Sequence, residues 1–192
     1  LLCVPTVNAD IFWTGNINDD VFNEANWDLS ASSVTTIEPN VSIGAGTSVA
    51  SNILIGEFTQ IGAECKIHHG AVVGTIPQDL KFGGERSTLE IGDRTTIREF
   101  TTLNRGTNAL GKTVIGHDVL LMAYVHIAHD CIIGNHVILS NATQLGGHVE
   151  IEDYVFCGPS MVFTNIKVPR SEFPQRGSNY YLKTLEVQDI SH

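Results

Sequence analysis

Aliphatic residues recur every six positions through most of this 192-residue chain. Counting from Ile37, the series runs through Ile43, Val49, Ile55, Ile61, Ile67 and Val73. It resumes at Ile91, Ile97 and Leu103, then continues from Ile115 through Leu121, Ile127, Ile133, Leu139, Leu145 and Ile151. A second residue, small or β-branched, stands two positions earlier, as at Thr47, Thr59, Cys65, Thr95, Val125 and Thr143. Strand alternation puts both members of each pair on one face. Gly follows the aliphatic residue at Gly44, Gly56, Gly62, Gly92, Gly116 and Gly134, where a tight turn between short strands needs a residue free of Cβ clashes. Helical bundles do not repeat at six. The period over 37–163 therefore predicts an all-β fold built from hexapeptide repeats, a parallel β-helix in which each short strand becomes stable when coils stack.

The phase survives where the pattern fails. Asp79 and Glu85 occupy inward positions within Thr75–Thr88, and Ala109 does so within Asn108–Lys112. Both stretches are expected as loops ejected from the coil, near 75–88 and 108–112, and such loops carry function disproportionately. Cys65 and Cys131 hold inward positions and read as core packing. The flanks, 1–36 and 164–192, lack the period and are expected to be irregular. The opening Leu1–Ala9 is leader-like. Phe12-Trp13-Thr14-Gly15 through Asn26-Trp27 resembles segments of secreted β-helical surface proteins, and fits a plain β-turn-β edge equally well.

Composition narrows the function. The net charge is −10, and residues 1–65 hold eight acids with no Lys or Arg, which argues against duplex nucleic acid as a partner. The four cysteines, Cys3, Cys65, Cys131 and Cys157, form no CxxC pair, so neither a disulfide framework nor a structural zinc site is expected. No apolar run approaches the ~18 residues of a membrane span.

The residues that could do chemistry lie on the outside of the coil. His126 and His129 flank inward Ile127, so both project off it, beside Asp130 and about one coil from His148. Imidazole titrates near working pH and suits proton transfer to and from a hydroxyl or thiol. Adjacent strand residues point to opposite faces, which leaves a direct His129–Asp130 bond open. His68, His69, His117 and His136 read as solvent-facing.

Six pieces at hexapeptide phase carry a family resemblance: Gln78-Asp79-Leu80-Lys81, Ile91-Gly92-Asp93, Ile97-Arg98-Glu99, Asn104-Arg105-Gly106-Thr107, His126-Ile127-Ala128-His129-Asp130-Cys131 and Leu145-Gly146-Gly147-His148. In this order they resemble the UDP-N-acetylglucosamine O-acyltransferases that open lipid A synthesis. The resemblance implies a left-handed parallel β-helix, a homotrimer with active sites between subunits, and a cytoplasmic enzyme. Its reaction would move a (3-hydroxy)acyl group from acyl carrier protein to the 3-OH of UDP-N-acetylglucosamine. No cofactor is implied beyond the carrier's phosphopantetheine thioester. It further implies His129 as base, Asp130 as its orienting carboxylate and the Gly147 N–H as oxyanion donor. Gln78, Asp79 and Lys81 would hold the sugar nucleotide, and His126 and His148 would position substrate. Asn104 stands near the reacting hydroxyl, where some members have His. No metal is expected: a zinc-dependent hydratase of this fold would need an H-x₄-H pair, and no two of the eight histidines are five apart.

Beyond Phe163 the resemblance stops. Gly158-Pro159-Ser160-Met161-Val162-Phe163-Thr164-Asn165, Pro169-Arg170 and Leu182-Lys183-Thr184-Leu185 resemble the nucleotide-sugar N-acetyltransferases, which use acetyl-CoA. The chain is read as truncated or composite at both ends. Acetyl-CoA-dependent N-acetyl transfer and a non-enzymatic β-helical fragment stand as alternatives.

Overall fold

The structure, a computed structural model, describes residues 35–164 and the short strand Ile11–Phe12. Its regular structure is strand throughout, in segments of two to four residues. The first face stacks β2 (Thr36–Ile37), β5 (Leu54–Ile55), β8 (Val72–Thr75), β11 (Thr102–Asn104), β14 (His126–Ile127), β17 (Gln144–Leu145) and β20 (Val162–Phe163). The second stacks β3 (Ser42–Ile43), β6 (Thr59–Ile61), β9 (Thr88–Ile91), β12 (Lys112–Ile115), β15 (Ile132–Ile133) and β18 (Glu150–Ile151). The third runs from β4 (Ser48–Val49) through β7 (Lys66–Ile67), β10 (Thr96–Ile97), β13 (Leu120–Leu121) and β16 (Ile138–Leu139) to β19 (Phe156–Cys157). On its free edge lies β1 (Ile11–Phe12), antiparallel to β4.

All pairs within the coil are parallel, and the register sets inward residue over inward residue: Ile55 over Val73, Leu103 over Ile127, Ile127 over Leu145. The columns this makes are the core, where Ile55, Ile97, Leu103, Leu121, Ile127, Leu139 and Leu145 are fully buried. The second inward residue is often polar, and it is satisfied by a corner carbonyl of the next coil. Thr47 Oγ1 donates to Gly62 O at 2.8 Å, and Thr95 Oγ1 to Gly116 O at 2.9 Å, as buried hydroxyls require. Cys65 and Cys131 make the same kind of contact through sulfur, with Gly92 O and Gly146 O at 3.2 Å. Burial pushes the Cys131 thiol up to about 12, so it stays protonated and packs.

The corners differ from the sequence reading in their cause. The left-handed residue of each turn sits three places beyond the inward aliphatic, and it is seldom Gly: Asn52, Glu64, Arg94, Tyr124, Asp130 and His148 all have φ between 54° and 63°. Gly44, Gly56, Gly62, Gly92, Gly116 and Gly134, each directly after an inward aliphatic residue, have no positive φ. Their side of the chain abuts the next coil, so a Cβ on Gly92 would fall 2.6 Å from Gly116 C, and one on Gly116 2.6 Å from Gly134 O. They permit stacking rather than turning.

Two loops leave the coil. Residues 76–87 separate β8 from β9, and 105–111 separate β11 from β12. Along the first face the step from Ile55 to Val73 is 18 residues, that from Val73 to Leu103 is 30, and that from Leu103 to Ile127 is 24. The excess is two hexapeptides and then one, which is why the six-residue phase passes through both loops unbroken. Lys112 already belongs to β12, where it pairs with Thr88.

Candidate active site

Both loops leave from the corner between the first and second faces. The corners of the next two coils, between β14 and β15 and between β17 and β18, carry His129-Asp130 and Gly147-His148. Coil stacking thus gathers four segments that are far apart in sequence.

Asp130 is the fixed point. Its side chain is fully buried. Oδ1 accepts from the Thr107 N–H at 2.9 Å and the Leu110 N–H at 3.2 Å, and Oδ2 accepts from the Thr107 hydroxyl at 2.6 Å. The loop 105–111 is therefore wrapped around this carboxylate. Burial raises the proton affinity of Asp130, but the hydrogen bonds from His129 and Thr107 outweigh it and hold the carboxyl below its ordinary value.

His129 Nδ1 lies 2.9 Å from Asp130 Oδ2. The bond that strand alternation left open forms because Asp130, at φ 57°, is a turn residue and does not obey alternation. An ionised carboxylate only accepts, so Nδ1 carries a proton and donates it to Asp130. Nε2 faces Asp79 Oδ2 of the first loop at 3.8 Å. Gly147 lies against the ring: a Cβ there would fall 2.5 Å from His129 Cε1 and 2.6 Å from Nε2. His148 meets His129 edge to face, ring centres 5.1 Å apart, with its Nε2 3.9 Å from Asp130 Oδ2. Burial is the main cause that lowers the His148 pKa, partly countered by Asp130.

The remaining sequence candidates divide. His126 is on the first face, its Nδ1 2.7 Å from Thr102 Oγ1, and burial lowers its pKa as well. Asp79 is half-buried and caps its own loop, accepting from the Lys81 N–H at 3.0 Å, while Gln78 and Lys81 are exposed. Asn104 is only 2% exposed. Its amide donates to Thr75 Oγ1 and Ile76 O, both at 3.1 Å, so it pins the start of the first loop, and its Oδ1 is buried without a partner. His117 accepts the Asp93 N–H at 2.9 Å in a turn after the second face.

Two residues escaped the sequence reading. Thr107 supplies two of the bonds that hold Asp130. Arg105, buried at 7%, sets its guanidinium between Phe58 and Phe82, 5.4 and 5.6 Å from the ring centres, and its backbone N–H donates to Thr75 O at 3.0 Å. It clamps the first loop to the coil. Both lie in Asn104-Arg105-Gly106-Thr107, a motif the period alone cannot rank.

The family described as bacterial transferase hexapeptide (six repeats) matches residues 112–147. The acyl-[acyl-carrier-protein]–UDP-N-acetylglucosamine O-acyltransferase of Chlorobaculum parvum is 55% identical over 117 residues, 48% of this chain and 44% of that protein. Its counterpart from Thermodesulfovibrio yellowstonii is 47% identical over 121 residues, covering 62% of this chain and 47% of the relative. Among solved structures, the Francisella novicida UDP-N-acetylglucosamine acyltransferase superposes with a TM-score of 0.66 at 38% identity, over 67% of this chain and 47% of the other. The Campylobacter jejuni enzyme gives 0.64 at 39%, over 67% and 50%. The chain spans about half the length of the curated relatives it matches. Over that span its coil is a left-handed parallel β-helix of hexapeptide repeats, similar to the UDP-N-acetylglucosamine O-acyltransferases.

Proposed function

We propose that this chain is an acyltransferase that moves a (3-hydroxy)acyl group from acyl carrier protein to the 3-hydroxyl of UDP-N-acetylglucosamine. One observation carries the reading: an imidazole whose Nδ1–H is tied to a buried carboxylate at 2.9 Å, with Nε2 turned toward the loop of Asp79.

In the reaction His129 Nε2 takes the proton of the sugar hydroxyl as its oxygen attacks the thioester carbonyl. The new C–O bond forms, the C–S bond breaks, and the same nitrogen returns the proton to the departing thiolate. Asp130 keeps the imidazole in the right tautomer and offsets the positive charge it gains. Gly147, beside the ring, allows the thioester close approach, and its N–H is assigned to the carbonyl oxygen as charge develops there. Gln78, Asp79 and Lys81 meet the sugar nucleotide, Lys81 as a compact cation for phosphate. His148 and His126 position substrate. Asn104 acts on the reaction through the first loop, which it pins.

The site occupies one outer corner of the prism, and a homotrimer would enclose it in a cleft between subunits. Acyl carriers and sugar nucleotides place the reaction in the cytoplasm, and it needs no cofactor beyond the carrier's own thioester. The N-acetyltransferase alternative rested on residues 158–185, of which only 158–164 are described.

The test is incubation with UDP-N-acetylglucosamine and either 3-hydroxyacyl carrier protein or acetyl-CoA, followed by mass spectrometry. An O-acylated sugar nucleotide from the carrier-bound donor alone is expected. Product from acetyl-CoA alone, or from neither donor, would refute the proposal.

A further inference from the structure

We infer that His129, His148 and Asp79 form a binding site for a divalent transition-metal ion of the zinc class, and that an ion held there blocks the base. The blocking rests on the function proposed above, but the binding does not.

Among the described residues, His129, Asp130 and His148 bring potential ligand atoms within 4.8 Å of one another. Asp79 Oδ2 approaches His129 Nε2 at 3.8 Å. Zn²⁺ holds imidazole nitrogen and carboxylate oxygen at about 2.0–2.2 Å, which puts neighbouring tetrahedral donors about 3.4 Å apart. His129 Nε2 and Asp79 Oδ2 need close by only a few tenths of an ångström to share an ion.

Asp130 has a different part. Its oxygens already accept from Thr107, Leu110 and His129, so it stays outside the coordination sphere and anchors the far nitrogen of a ligating histidine. A carboxylate behind an imidazole fixes the ring and makes the facing nitrogen a better donor. His129 is further held by Gly147 beneath it and His148 at its edge, so little ordering is left to do on binding. Two carboxylates beside two imidazoles draw a dication, with Lys81 opposing from the loop. Three protein donors would leave a fourth position open. Sequence spacing does not show the set, since His129 and His148 are one coil plus one residue apart.

An ion on Nε2 takes the lone pair that the transfer needs, so zinc and sugar hydroxyl compete for one nitrogen. The test is calorimetric titration of Zn²⁺ into the full chain, purified without a histidine tag and stripped with EDTA. One ion per chain is expected. Affinity should fall at least about tenfold in His148→Ala, and roughly 10–100-fold in Asp130→Asn, which removes only the outer carboxylate. His136→Gln, an exposed histidine elsewhere, should bind as wild type. Circular dichroism melts show that each variant is folded, and Co²⁺ in place of Zn²⁺ reports the geometry through its visible absorption. No stoichiometric ion in wild type, or one that survives both His129→Ala and His148→Ala, would overturn the site. Acyl transfer at an unchanged rate with the ion bound would overturn the blocking. A chain that binds Zn²⁺ in this pattern yet transfers no acyl group contradicts the proposed reaction and leaves the site standing.

Discussion

The φ of Asp130, 57°, decides what His129 can do. Strand alternation would set neighbours 129 and 130 on opposite faces, whereas a turn residue carries its carboxylate round to the His129 ring, and the corner of the next coil brings Gly147 against the same ring. Gly147→Ala should therefore act on the base: its Cβ would strike the imidazole, and a displaced base can cost up to about 100-fold in kcat. Steady-state kinetics alongside a melt separate this from unfolding, and parental kcat in the folded variant would contradict it. The motif names and spacing made His129, Gly147 and His148 legible in the sequence. The His129–Asp130 bond was not legible, because alternation holds for strands and the left-handed turn residue carries no signature in residue type.

Two half-buried histidines also give stability a pH dependence. Burial lowers the folded-state pKa of His126 and of His148, so on acidification the unfolded chain takes up protons first and stability rises with pH. Their stabilising effect is complete above the unfolded value of about 6.5 and is lost as pH falls through it toward the folded values. Asp130, held low, adds a second loss below about pH 3.9. Melts should show a plateau above neutrality and a decline beginning near pH 6.5, flattened in the His126→Gln/His148→Gln double variant. A wild-type plateau reaching down to about pH 5 would contradict this.

Among the elements, the two ejected loops matter most, and each is tied down by a residue of the motif 104–107. Arg105 sits between an aromatic ring of the coil and one of the first loop, a pair of contacts worth about 0.5–2 kcal/mol each. Arg105→Met or Phe82→Ala should raise the KM for the sugar nucleotide more than it lowers kcat, and should speed hydrogen exchange within 76–87 selectively. Uniform exchange changes across the coil would show a general loss of stability instead. That the loops exist was readable from Asp79, Glu85 and Ala109 at inward positions. How they are anchored was not, since Arg105 reaches Phe58 and Phe82 across a coil boundary that only three-dimensional stacking defines. The corner glycines were read correctly as intolerant of Cβ, but the crowding comes from the coil above and not from the turn.

For the whole molecule, stability is a sum of neighbouring coils, with inward aliphatics stacked in columns. Leu121→Ala, in the middle of a column and fully buried, should cost roughly 2–5 kcal/mol, read as a lower denaturation midpoint at unchanged slope. The proposed chemistry belongs to the same scale, because it needs the stacked coil to hold the corner. Its most direct test is the turnover of His129→Ala against wild type and against His68→Ala, which lies on the coil away from the cluster, with 3-hydroxyacyl carrier protein and UDP-N-acetylglucosamine as substrates. Loss of the base should cost ~10²–10⁴-fold in kcat with little change in KM, and His68→Ala should turn over as wild type. Near-parental turnover in His129→Ala, or an equal loss in His68→Ala, would contradict the assignment of His129 as the base.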